Sequence, residues 1–193
     1  ENLLMLRRSL GLDIFIFDYR GYGMSEGSPS EKGMYRDAEA ALEYVRSRST
    51  PGEDQRLVLF GRSLGAAVAV EMATRHEIDA VVLESPFTSV RRMAGRAYPF
   101  LPSALLTAPL RSRFDSLSKI GRVHSPVMVL HGDMDDIVPF EEGRTLYEAA
   151  NEPKLLWTIP GAGHNDIVEV AGREYVERLK QFYAGLNREL ETQ

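Results

Sequence analysis

The stretch LVLFGRSLGAAVAV, residues 57–70, constrains this chain more than any other. An apolar run of strand length stops at Gly61. Ser63 stands between Gly61 and Gly65, and small apolar residues follow. Strand, Gly-x-Ser-x-Gly and helix in succession make the pattern of a nucleophile elbow. A tight strand-to-helix turn strains the serine backbone, and glycines on either side avoid clashes that a Cβ would cause. The hydroxyl then projects past the strand ends, and the Leu64 N–H at the helix start points where an oxyanion would form. The plainer reading is a glycine-rich turn with a helix-capping serine. An enzymatic reading needs an acid and then a histidine, in that order along the chain.

The rest of the chain has the rhythm of a parallel α/β sheet, with strand-length apolar runs alternating with helical patterns. Strands are expected at 12–19, 56–60, 80–84, 127–131 and 154–159. LDIFIFDY (12–19) is apolar on both faces, as a buried parallel strand should be. Helices are expected over 1–9, from Ser30 to about Arg48, over 64–75, 140–150 and 171–188. With 193 residues the chain suits one domain, 1–193. An insertion at about 85–125 breaks the rhythm. It holds four prolines and seven Lys or Arg against one acid, a local charge of +6. The whole chain is −5, so the remainder is −11, and this asymmetry suggests a separate surface role. The acidic balance argues against a nucleic-acid partner. The absence of cysteine excludes disulfides, thiolate metal sites and a cysteine nucleophile.

Four histidines compete for the role of base. His76 reads as a helix-end residue, His124 lies in the basic insertion, and His131 reads as a packed, hydrogen-bonded strand residue. His164, in the glycine-rich loop IPGAGHND after the last strand, is the strongest candidate. The acid is open among Asp133, Asp135 and Asp136 of HGDMDDIVP, some of which are expected only to cap the next helix. Glu84 is a reserve acid or the partner of an arginine. Asp166 is too near His164 along the chain to orient it. Asp18, Tyr19 and Arg20 read as structural, and Trp157 as core.

FDYRGYGMSEGSPSEKG (17–33), GRSLG (61–65), LESPFTS (83–89), HGDMDDIVPF (131–140) and PGAGHND (160–166) resemble, in order and spacing, the α/β-hydrolases, and within them a small-lid branch of ABHD-type serine hydrolases. The resemblance implies an α/β-hydrolase fold, a mostly parallel sheet flanked by helices with a short lid. It selects Asp135 as the acid, beside Ser63 as nucleophile and His164 as base, with no metal and no organic cofactor. It implies a serine hydrolase of ester or thioester bonds in small-molecule or lipid-like acyl substrates. The alternatives are a peptidase, or an inactive binding module. The lid would supply substrate-binding Phe87, Tyr98 and Phe100, and its basic residues suggest peripheral contact with an anionic membrane. In such hydrolases a strand and a loop carrying the second oxyanion N–H precede the helix that opens this chain. The resemblance therefore also implies an N-terminally truncated fragment lacking strands of the sheet, one of them between 12–19 and 56–60. The compartment is expected to be cytoplasmic, or membrane-associated through a segment upstream of Glu1.

Overall fold

The computed structural model describes residues 2–48, 56–97 and 113–190. A parallel four-stranded sheet has the order β1-β2-β3-β4, with β1 at Val58–Arg62, β2 at Ala80–Glu84, β3 at Val127–Gly132 and β4 at Lys154–Ile159. The helices are α1 (Asn2–Leu10), α2 (Glu31–Ser47), α3 (Leu64–Ala73), α4 (Val90–Ala97), α5 (Leu117–Ile120), α6 (Phe140–Ala149), α7 (Ile167–Ala171) and α8 (Arg173–Leu190). Local chemistry sets several boundaries. The Ser30 hydroxyl accepts from the Gly33 N–H at 3.1 Å and starts α2. Gly11, at φ 66°, takes the left-handed conformation that ends α1.

β2 and β3 are buried along their whole length. Their side chains alternate between two cores, as a pleated strand requires. Val81, Leu83, Val127 and Val129 join the core built with α2 and α3. Val82, Met128 and Leu130 join a second core with Trp157, Tyr175 and Leu179 on the opposite face. The sheet is thus covered on both faces, which explains why its central strands read as unbroken apolar runs.

The expected strand at 12–19 does not form. The segment is irregular, and its apolar residues are largely exposed, Ile16 at 68% and Phe15 at 48%. The physical reason is pairing. A strand needs a hydrogen-bonding neighbour about 4.8 Å away, whatever its own propensity. β1 is the edge of the sheet on its own side, and 12–19 does not join it. Phe15 and Phe17 lie instead against Tyr44 and Tyr19.

The insertion contributes α4 and α5; Tyr98, Phe100 and the leucines at 101, 105, 106 and 110 lie outside the described residues. Its charge is not all on the surface. Lys119 is mostly buried and pairs with Glu71 at 2.7 Å, and Arg92 lies 3.5 Å from the buried Glu142. Among the described residues, no helix is long and apolar enough to cross a membrane.

Candidate active site

The parallel register aligns the C-terminal ends of the strands. Arg62 lies opposite Glu84, Glu84 opposite Leu130, and Gly132 opposite Ile159. The loops carrying Ser63, Asp135 and His164 therefore all leave the same rim.

Ser63 has φ 51° and ψ −116°, a conformation that costs a non-glycine residue about 1–3 kcal/mol. Its N–H donates to the Glu84 carbonyl at 2.8 Å, and its own carbonyl accepts from Ala66 at 3.0 Å. The side chain makes no capping bond to α3, which removes the helix-cap reading. A Cβ on Gly61 would stand 2.5 Å from the Gly65 carbonyl oxygen, so glycine is required there by close approach. Leu64 is the first residue of α3, where N–H groups lack intrahelical acceptors.

The acid and histidine loops are knitted together. The Asp133 carboxylate accepts from the Gly161 N–H at 2.7 Å, and the Met134 N–H donates to the Ala162 carbonyl at 3.0 Å. His164 Nδ1 lies 2.7 Å from Asp135 Oδ2, both side chains being buried. With the carboxylate as acceptor, that geometry favours the Nδ1–H tautomer and leaves Nε2 as the unprotonated ring nitrogen. The other Asp135 oxygen accepts from the N–H groups of Ile137 and Val138, at 3.0 and 2.7 Å. Beneath it the buried His131 places Nε2 2.8 Å from the Val138 carbonyl and 3.4 Å from Asp135 Oδ2. Burial alone would raise the Asp135 carboxyl. The hydrogen bonds from His131, Val138 and His164 outweigh it and hold the group well below the usual carboxylate range.

The other expected roles sort plainly. Asp133 and Asp135 do not cap α6; its N-cap is Pro139, with no side-chain bond, because the acids are turned toward the histidine loop. Asp166 accepts from the Gly163 N–H at 2.7 Å and shapes the turn around His164. His76 pairs with Glu39 at 2.6 Å. Arg20 grips Asp37 with two nitrogens, and Asp18 accepts from Met24, so the 18–20 segment is structural. Phe87 is buried in the core shared with α2 and α3.

Glu84 does not orient His164. The Tyr175 hydroxyl donates to it at 2.6 Å, and Arg62 Nε lies 3.1 Å from its other oxygen. Burial pushes its carboxyl above the ordinary value, against the pull of Tyr175, Arg62 and His164. Arg62 was not singled out by the sequence. The one available signal was a basic residue ending β1 where an acid ends its parallel neighbour. Two open clefts, one bounded by Phe15, Asp37 and Tyr44 and one by Arg46, Arg75 and Asp79, do not include the Ser63, Asp135 and His164 group.

Residues 8–117 match the family model described as Serine aminopeptidase, S33. An uncharacterized protein of Mycobacterium tuberculosis is 42% identical over 181 residues, covering 94% of this chain and 63% of that protein. Human alpha/beta hydrolase domain-containing protein 17C is 42% identical over 176 residues, covering 90% of this chain and 50% of its own length. This chain thus spans about half to two-thirds of these relatives. Among solved structures, a Pyrococcus furiosus esterase superposes with TM-score 0.75 at 24% identity, covering 93% of this chain and 72% of the esterase. A monoacylglycerol lipase of Paleococcus ferrophilus gives 0.70 at 21%, covering 95% and 87%.

Proposed function

The chain belongs to the Serine aminopeptidase, S33 family of α/β-hydrolases, and from that membership we propose a serine hydrolase acting through Ser63, His164 and Asp135 on ester or thioester bonds of acyl substrates. The observation that supports it best is the 2.7 Å His164–Asp135 bond, reached from a loop that Arg62, next to Ser63, holds by the His164 carbonyl. His164 Nε2 takes the Ser63 proton as Oγ attacks the acyl carbonyl. The Leu64 N–H receives the developing oxyanion, and ionised Asp135 stabilises the imidazolium. His164 then returns the proton to the leaving alcohol or thiol. Water, deprotonated by the same imidazole, releases the acid from the acyl-enzyme.

Relatives described as an esterase and a monoacylglycerol lipase favour acyl esters. The family description favours a second reading, cleavage at a peptide amino terminus. A panel of p-nitrophenyl esters of rising chain length, acyl thioesters and aminoacyl anilides, run on the full-length protein, separates the two. Ester or thioester turnover abolished by Ser63→Ala is expected. Turnover of the anilides alone would transfer the protein to the peptidase reading, and turnover that survives Ser63→Ala would end both.

A further inference from the structure

Arg62 fills the variable position between Gly61 and Ser63, and its guanidinium faces two ways. Nε lies 3.1 Å from Glu84 Oε1. Nη2 donates to the His164 carbonyl at 2.6 Å and to Asn165 Oδ1 at 2.8 Å. Glu84 is itself fixed, being 4% exposed and accepting the Tyr175 hydroxyl at 2.6 Å. A buried acid on β2 and a buried phenol on α8 thus set a guanidinium on β1, and that guanidinium grips the backbone of the residue whose imidazole faces Asp135. The loop needs such a grip. It contains Gly161 and Gly163, the former at φ 78°. Two loop N–H groups before His164 are held by side chains, Gly161 by Asp133 and Gly163 by Asp166; at His164 itself Asp135 holds the imidazole and Arg62 the carbonyl.

Resting on the hydrolase reading above, we propose that Arg62, backed by Glu84 and Tyr175, is a positioning residue that fixes His164 relative to Ser63. Arginine suits this task because its planar fork sends donors in two fixed directions at once, whereas a lysine ammonium offers a single point charge. Because Arg62 adjoins the nucleophile, a displacement of either side of the pair is transmitted over one residue. Misplacement of reacting groups by about 1 Å costs on the order of 100-fold in rate. The half-exposed ion pair need contribute little to stability for this to hold.

The test uses the full-length protein and p-nitrophenyl butyrate. Arg62→Met is expected to lower kcat about 10–100-fold with KM within about twofold. Arg62→Lys should fall between it and the parent. Millimolar ethylguanidinium should restore part of the kcat of Arg62→Ala and leave the parent unchanged. Glu84→Gln should show a smaller loss of kcat, with urea midpoints tracking none of these changes. Parent-like kcat in Arg62→Met would overturn the inference. So would a loss that follows the urea midpoint and is not rescued. A Ser63→Ala variant run beside them separates the two levels. If its turnover persists the hydrolase reading fails, whereas if it is dead and Arg62→Met is not impaired, only the positioning role fails.

Discussion

Asp135 gathers donors from three directions: the Ile137 and Val138 N–H groups, the His164 imidazole and, more distantly, His131. Replacing it with Asn removes the acceptor that fixes the His164 tautomer, and kcat should fall about 10³–10⁴-fold with the fold retained. The same donors tie stability to pH. The folded carboxyl titrates well below the unfolded value of about 3.9, so its contribution is complete above that value and drains as pH falls through the lower folded one. Urea midpoints of the parent and Asp135→Asn, followed from pH 6 down to about pH 3, should therefore keep a steady gap until about pH 4 and begin to draw together below it. A constant gap would show that the donors do not favour the ionised form. The strained turn at Ser63 and the contact of His164 with Asp135 lie where the sequence pointed, because Ser63 and His164 each sit in a glycine-bounded loop after a strand and the Asp135 loop matches a motif. Arg62 was not legible: its role depends on facing Glu84 across the parallel register, and nothing in the local sequence encodes which residue a neighbouring strand presents.

At the scale of elements, the elbow is set by space as much as by torsion. With the Gly65 oxygen and the Ala66 Cα already within 2.6 Å of where its Cβ would go, Gly61→Ala must push α3 off β1. An overpacking cost of about 1–3 kcal/mol is expected in urea unfolding, with loss of turnover beyond it. An unchanged midpoint would mean the helix approaches less closely than described. Four of five strands and the long helices were readable from periodicity and caps, because their partners lie within the chain and bury the residues that the pattern marks. The segment 12–19 was not. Leu12, Ile14, Phe15 and Ile16 carry strand propensity, yet propensity supplies no ladder, and they stand exposed. The pairing of charges in the basic insertion was not legible either, since composition counts charges without their partners. Lys119 and Arg92 face Glu71 and Glu142.

Across the whole molecule, two apolar layers share β2 and β3, so damage to one central side chain should be felt by the entire sheet. Leu130 is fully buried and lies against Trp157 in the register. Leu130→Ala is expected to cost about 2–5 kcal/mol, whereas Leu155→Ala, partly exposed on β4, should cost well under half as much. Equal losses would contradict the layered core. That core sends from one rim the loops that carry three side chains separated by up to 101 residues of sequence, Ser63 to His164. Whether they act as one unit is read by incubating the full-length protein with a fluorophosphonate and mapping the adduct by peptide mass. A single adduct on the peptide containing Ser63 is expected, absent in Ser63→Ala and formed at least about 10³-fold more slowly in His164→Ala. An adduct on another residue, or undiminished labelling without His164, would contradict the assembly of these three residues into a working nucleophile.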